Sequence, residues 1–377
     1  MKCLRCNNSD LAYFYDDKGI YYCRKCIQFG RLDVGSHPRV LVRKIKKHHS
    51  DYHLHFTLTK KQQTATQQIV KYIQDGHDVL VYAACGAGKT ELSMEPIKLA
   101  LNAGLKVGFA IARTQVVLEV AKRMAEAFKS IKVIAVCEGH TTVTDADLIV
   151  CTMHQLYRYP QTFDLLIMDE VDAFPYKHNE MLEAIAHHSV HGRILYLSAT
   201  PDAGMLEKVK LGKLKMVELF ERPHGHPLIY PTFVRLPQSL QLIHFFFFMK
   251  KEEHQVLAFV PTIYLANHYA LLFSAFFRCK ALTSKSVNKE KIVNELKEHR
   301  LNLLFATTVL ERGITIAGVD IVIFQSDHEL FDEASLIQIV GRVGRSKDQP
   351  NGVAILYSMK KSRAMKRCYN AIKKMNE

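Results

Sequence analysis

The sequence predicts an α/β chain: two tandem parallel-sheet domains preceded by a small β ribbon held by four cysteines. Three observations predict it. Apolar runs of strand length alternate with helix-period segments through two long stretches, the pattern of strands covered by crossover helices. A segment rich in breakers, Arg222-Pro223-His224-Gly225-His226-Pro227, lies between those stretches and reads as a hinge. Ahead of both, Cys3, Cys6, Cys23 and Cys26 form CxxC, sixteen residues, CxxC. The resulting divisions are residues 1–50, 51–215 and 216–377.

The amino-terminal segment holds Tyr13-Phe14-Tyr15 and Ile20-Tyr21-Tyr22 around Asp16-Asp17-Lys18-Gly19, a hairpin signal between the two cysteine pairs. Two CxxC knuckles at this spacing bring four thiolates around one tetrahedral Zn2+, with no open position for water. A redox pair needs only one CxxC. The other cysteines, Cys85, Cys137, Cys151, Cys279 and Cys368, are scattered and read as small core or loop residues. A basic stretch follows from Arg39 to His49; His48, His49, His53 and His55 lack a fixed spacing partner and read as solvated.

A helix is predicted around Gln62–Ile73, then strands at Val79–Ala83, Val107–Ile111, Val133–Val136, Leu148–Cys151, Leu165–Met168 and Ile194–Leu197. The second series is Val256–Val260, Leu303–Thr307, Ile321–Phe324 and Val353–Tyr357. Between hinge and second series, Phe245–Phe248 puts four rings around a helix, and core is the expected place for them.

Two loops carry chemistry. Ala84-Cys85-Gly86-Ala87-Gly88-Lys89-Thr90 follows the first strand and opens a helix. Backbone N–H groups of residues 86–90 can face phosphate oxygens, Lys89 reaches the β and γ phosphates, and the Thr90 hydroxyl holds Mg2+. Ala83 stands where the full pattern has its first glycine. Eighty residues on, Phe163–Met168 delivers Asp169-Glu170-Val171-Asp172 to the carboxyl edge of the sheet, where such sheets bind ligands. Asp169 is placed to bind magnesium through water and Glu170 to activate the attacking water. The two loops together imply ATP hydrolysis.

Net charge is +14, and its distribution points to a polyanion partner. Residues 1–61 carry 13 Lys/Arg against 5 Asp/Glu, residues 359–377 carry 7 against 1, and the remainder balances at 31 against 31. Apolar runs fall short of the ~18 residues that a membrane span needs. With no apolar run after Met1-Lys2-Cys3 to serve as a secretory signal, a cytoplasmic protein is expected.

Beyond residue 50 the chain resembles superfamily 2 helicases of the DEAD/DEAH type, which implies two RecA-like domains. Leu58-Thr59-Lys60-Lys61-Gln62 is similar to the adenine-reading glutamine motif, with Gln62 as reader. Ala112-Arg113-Thr114 and Cys151-Thr152-Met153-His154-Gln155-Leu156 resemble segments that grip strand phosphates, and Ser198-Ala199-Thr200 the segment coupling hydrolysis to strand binding. Phe259-Val260-Pro261-Thr262 and Thr307-Thr308-Val309-Leu310-Glu311-Arg312-Gly313-Ile314-Thr315 resemble second-domain motifs; the resemblance implies strand contacts at Thr262 and Thr308 and a nucleotide contact at Gly313. Gln338-Ile339-Val340-Gly341-Arg342-Val343-Gly344-Arg345 is similar to the arginine-finger motif. Arg342 and Arg345, three apart on a helix, would share one face and meet the γ-phosphate, with Arg345 favoured as the finger.

Within that superfamily the chain resembles the ComFA-type competence ATPases of transformable bacteria. The supporting residues are the four cysteines with Tyr22–Arg31, Asp169–Tyr176, and His224-Gly225-His226-Pro227-Leu228. Little of that family's leader segment precedes Cys3. The resemblance implies a single-stranded DNA translocase or helicase that drives uptake of transforming DNA. Its implied partners are single-stranded DNA, a competence channel protein at the inner face of the membrane and a phosphoribosyltransferase-like competence protein, with peripheral membrane location; a homo-oligomer is left open by the residues. Three other readings stand beside it: a primosomal replication-restart helicase, an RNA-remodelling DEAD enzyme and a zinc/DNA-binding scaffold with little ATPase activity. Primosomal helicases carry their cysteines inside the second lobe, and Val171 departs from Asp-Glu-Ala-Asp.

Overall fold

The computed structural model describes residues 1–37, 46–252, 254–307, 318–345 and 349–377. These divide into two compact units: Met1–Ala83 with Lys89–Leu219, and Ala84–Gly88 with Phe220–Glu377.

In the first unit, β1 (Phe14–Asp17) and β2 (Ile20–Cys23) pair antiparallel as an amino-terminal ribbon. Their two-residue turn puts Lys18 at φ 55° and Gly19 at φ 84°, the doubly left-handed turn whose twist matches a hairpin. The ribbon is not a separate body. Phe29 packs on Tyr157 at 5.0 Å and on His154 at 6.3 Å between ring centroids, and Met181 lies against the cysteine cluster.

Helix α1 (Lys60–Gln74) leads into a seven-stranded parallel sheet. Its strands are β3 (Val79–Ala83), β4 (Val107–Ile111), β5 (Val133–Val136), β6 (Leu148–Thr152), β7 (Phe163–Asp169), β8 (Val190–Ser198) and β9 (Lys215–Leu219), in the order β5-β6-β4-β7-β8-β3-β9. Strands such as β4 and β6 are buried at every residue, as expected where helices cover both faces. The helices are α2 (Lys89–Leu92), α3 (Met94–Asn102), α4 (Thr114–Ala127), α5 (Glu180–Ser189) and α6 (Ala203–Lys210). A domain boundary between 215 and 216 would cut β9, which pairs with β3; the first unit ends at Leu219. At the start of β7 a register irregularity between Phe163 and Leu165 brings the backbone of β8 close: a Cβ on Gly192 would lie 1.9 Å from the Asp164 carbonyl oxygen.

The second unit holds a six-stranded parallel sheet in the order β10-β15-β14-β11-β13-β12. Its strands are β10 (Thr232–Arg235), β11 (Gln255–Phe259), β12 (Cys279–Leu282), β13 (Leu303–Ala306), β14 (Val319–Ile323) and β15 (Ala354–Ser358). Its helices are α7 (Gln238–Lys251), α8 (Ile263–Ser274), α9 (Lys289–Lys297), α10 (Glu333–Val340) and α11 (Arg363–Asn376). Of the four phenylalanines on α7, Phe245 is fully buried and packs on Phe273 and Phe324, but Phe247 is 59% exposed. A 100° step per residue cannot turn four consecutive rings inward.

The basic carboxyl end is the solvent side of α11. Met365, Cys368, Ile372 and Met375 dock inward at helical spacing while Lys366, Arg367, Lys373 and Lys374 stay exposed. No helix among the described residues is long and apolar enough to cross a membrane.

Candidate nucleotide site and metal centre

β3 ends at Ala83, and the next residues must turn back toward a helix. Gly86 and Gly88 do so at φ 84° and 88°, a region costly to any residue with a Cβ. The Ala87 N–H donates to the Ala84 carbonyl at 3.1 Å. Lys89 opens α2, and its Nζ donates to the Ala83 carbonyl oxygen at 3.2 Å. Ser93 separates α2 from α3, its hydroxyl donating to the Thr90 carbonyl at 2.6 Å.

β7 carries Asp169 to the carboxyl edge. Burial pushes its carboxyl up to about 7, the Glu170 charge adds to that, and Lys89 opposes both. The Glu170 N–H donates to Asp169 Oδ1 at 2.9 Å. Glu170 itself sits at φ 55°, a strained conformation for glutamate. Its Oε2 is buried without a hydrogen-bond partner among the described residues. A carboxylate oxygen in that state has its lone pairs open to a hydrogen bond from a water. For magnesium, the Thr90 hydroxyl and the Asp169 carboxylate are hard oxygen donors of the right kind.

Asp172 binds both residues of the next strand end. Ser198 Oγ donates to Asp172 Oδ1 at 2.9 Å, and Thr200 Oγ1 donates to Asp172 Oδ2 at 2.6 Å. Ala199 between them is fully buried. Ser198 ends β8, so the acidic loop and the Ser198-Ala199-Thr200 segment form one bonded patch.

Upstream, Thr59 and Gln62 close a reciprocal cap on α1. Thr59 N donates to Gln62 Oε1 at 2.9 Å, and Gln62 N to Thr59 Oγ1 at 3.2 Å. Gln62 is 1% exposed, its amide oxygen engaged by the cap, whereas Gln63 is exposed and donates to the Leu58 carbonyl.

Among the residues expected from sequence to contact a strand, Arg113 caps α4 just past β4, Thr114 begins that helix, and Thr152 ends β6 with 7% exposure. In the second unit Thr262 caps α8, its hydroxyl accepting from Leu265 N at 3.2 Å. All four sit past or at carboxyl ends of parallel strands. Thr308 and Gly313 lie outside the described residues.

The arginine motif differs from the helix expected of it. α10 ends at Val340, and residues 341–344 form turns, with Gly344 at φ 65°. Two glycines stop the helix here, so Arg342 and Arg345 do not share a helical face. Arg342 is 4% exposed; Arg345 is half-buried and its Nε donates to the Gly341 carbonyl at 3.1 Å. Arg222, read from sequence as part of the hinge, builds this loop. It is 1% exposed and donates to the carbonyl oxygens of Gly341, Val343 and Gly344 at 2.8, 2.9 and 2.9 Å. Burial lowers its pKa to about 10. A lone arginine beside a proline gave no sign of this in sequence.

In the ribbon, Cys3, Cys6, Cys23 and Cys26 are buried, free of disulfides, and have all four sulfurs within 4.8 Å. The Cys3–Cys26 and Cys6–Cys23 sulfur pairs lie 3.7 and 3.8 Å apart. Zinc–sulfur bonds of ~2.3 Å in a tetrahedron require an edge of about 3.8 Å, so the cluster fits the ion. Asn8 Nδ2 and Arg5 Nη1 approach Cys23 and Cys26 sulfurs at 3.9 and 4.0 Å, the kind of N–H support thiolate ligands take.

Comparison with known proteins agrees with this geometry. Residues 55–203 match the family described as "Type III restriction enzyme, res subunit", and residues 237–347 match "Helicase conserved C-terminal domain". Competence protein ComFA of Bacillus subtilis (strain 168) is 32% identical over 402 residues, covering 100% of this chain and 86% of its own length. Competence protein ComFA of Streptococcus pneumoniae (strain R6) is 33% identical over 391 residues, covering 100% and 90%. Two solved structures share the fold. DEAD-box helicase Mss116 bound to ssRNA and UDP-BeF superposes with a TM-score of 0.62 at 16% identity, over 79% of this chain and 69% of that one. S. cerevisiae Dbp5 bound to RNA and ADP BeF3 gives a TM-score of 0.60 at 16% identity, over 84% and 91%. The two sheets are therefore tandem RecA-like helicase domains.

Proposed function

Because the chain belongs to the ComFA family of competence proteins, we propose that it hydrolyses ATP to move single-stranded transforming DNA into the cytoplasm. It is a superfamily 2 helicase-type ATPase, with both of that superfamily's domains. The observation that carries the catalytic reading is Glu170 Oε2, buried and unpartnered one residue after Asp169.

In this reading, the loop of Ala84, Cys85, Gly86, Ala87 and Gly88 wraps the phosphates, with N–H groups between Gly86 and Thr90 facing their oxygens, Lys89 neutralises the β and γ oxygens, and Gln62 and Gly313 contribute to nucleotide binding. Thr90 and Asp169 would hold Mg2+, which supplies charge neutralisation at the triphosphate when bound. Glu170 orients a water and takes its proton as the oxygen attacks the γ phosphorus. The bond to the bridging oxygen breaks and ADP leaves. Arg345, with Arg342, meets the charge developing on the γ oxygens. Asp172 then carries the change in the acidic loop to Ser198 and Thr200, and so to the strand-gripping residues Arg113, Thr114, Thr152, Thr262 and Thr308.

The four cysteines would hold zinc, which would tie the two CxxC knuckles of the ribbon together, while Phe29 docks the ribbon on the first unit. The basic amino-terminal segment and the exposed face of α11 support a polyanion strand as substrate. Partners on this reading are a channel protein at the inner membrane face, where the chain would be peripheral, a phosphoribosyltransferase-like competence protein and further copies of the chain.

Phosphate release measured side by side with single-stranded DNA, duplex DNA and RNA tests the proposal. Stimulation greatest with single-stranded DNA, lost in Lys89→Ala and falling steeply with salt, is the expected result. Equal stimulation by RNA, or none by any nucleic acid, overturns it.

A further inference from the structure

Three ligand-bearing side chains converge in the second unit, none of them assigned a role above. Glu252 follows α7, His254 precedes β11, and Asp320 lies on β14, which pairs with β11 in the register Val256 to Asp320. One atom of each lies within 4.8 Å of the others. His254 Nδ1 stands 3.4 Å from Glu252 Oε1 and 3.3 Å from Asp320 Oδ2.

Asp320 is the informative member. Its side chain is 1% exposed, and its Oδ1 accepts from the Val353 N–H at 2.6 Å. Its Oδ2 faces His254 and Glu252, yet has no hydrogen-bond partner among the described residues. The one donor facing it among the described residues is the half-exposed imidazole at 3.3 Å, which makes no well-formed hydrogen bond, and a buried anionic oxygen in that state costs folding free energy unless something else neutralises it. Gly352 keeps the place open, since a Cβ there would come within 2.8 Å of Asp320 Oδ1.

We propose that Glu252, His254 and Asp320 bind a second divalent transition-metal ion of the zinc class, distinct from the ion of the four cysteines. Ligand spacing agrees. Tetrahedral bonds of ~2.1 Å from zinc to nitrogen and oxygen place neighbouring ligand atoms about 3.4 Å apart, the separation seen here and longer than a well-formed hydrogen bond. An imidazole nitrogen with two carboxylates suits zinc or cobalt rather than magnesium or calcium, which take oxygen. The 47% exposed imidazole lies on the solvent side, giving the ion an entry path, and water would complete the shell. The site pins the end of α7 to the amino ends of β11 and β14, on the sheet edge opposite Thr262.

The test is a metal count on the full chain, stripped with chelator and dialysed to equilibrium against Co2+, without nucleotide. Two equivalents per chain are expected. Asp320→Asn and His254→Ala should each bind one, with the cobalt–thiolate charge-transfer band of the cysteine site unchanged. His254 is half-exposed, so its variant reads the site even if Asp320→Asn impairs folding. One equivalent in the unsubstituted chain, or two retained in both variants, overturns the proposal and leaves His254 as an ordinary ion-pair partner of the two carboxylates.

Discussion

Thr200 Oγ1 lies 2.6 Å from Asp172 Oδ2, so the last carboxylate of the acidic loop is bonded to the end of a neighbouring strand. With Ser198 on the other oxygen, both carboxylate oxygens are committed to that segment. Hydrogen bonds to a charged acceptor are worth about 1.5–3 kcal/mol each, enough to move the two segments together.

Thr200→Val should therefore preserve DNA binding and most basal ATP hydrolysis while reducing DNA-stimulated turnover at least ~10-fold, a loss of about 1.4 kcal/mol. A double-mutant cycle with Asp172→Asn measures the link directly. Additive effects within ~0.5 kcal/mol would show the bond carries no coupling.

Asp169 gives a pH dependence. Its folded carboxyl is raised from an ordinary 3.8 to about 7, so between those values the folded chain holds a proton that the unfolded chain has lost. That contribution to stability is fully present below pH ~4 and is lost as pH rises through ~7. Urea midpoints of the magnesium- and nucleotide-free protein should fall across this window, and Asp169→Asn should fall less. Parallel profiles for the two proteins would remove Asp169 as the cause.

Arg222→Ala removes the donor from the loop carbonyls of Gly341, Val343 and Gly344 and should destabilise the second unit by about 3 kcal/mol. Arg222→Lys offers one ammonium to oxygens arranged for a planar fork and should recover less than half of the loss. Turnover should fall in both with little change in DNA affinity. Wild-type turnover in Arg222→Ala would dissociate this residue from the arginine loop.

Cys23→Ser should release the zinc and loosen the contact of Phe29 with Tyr157 and His154, read as faster proteolysis within residues 1–37. Unchanged metal content and an equally protected ribbon would refute zinc at these cysteines.

Much of this was legible in the residues. The cores of β3, β6 and β7 are apolar runs rich in Val, Ile and Leu, as a parallel sheet covered on both faces requires, and the cysteine spacing foretold the cluster. Lys215-Met216-Val217-Glu218-Leu219 alternates too weakly to announce an edge strand, so β9 came only with its partner β3. The turn at Gly341–Arg345 was hidden because the apolar pattern of α10 runs on through Val343, and only two glycines mark the stop. His254 and Asp320 are separated by an entire run of strands and helices, beyond the reach of any spacing rule.

One consequence follows from Gly192. With the Asp164 carbonyl 1.9 Å from where a methyl would stand, every other amino acid at 192 displaces the strand that delivers the acidic pair. A saturation screen scored on ATP hydrolysis would rank this glycine beside Lys89, although it contributes no atom to phosphate chemistry. Essentiality in such a screen maps the scaffold and the engine together, and only expression or solubility read in parallel tells them apart.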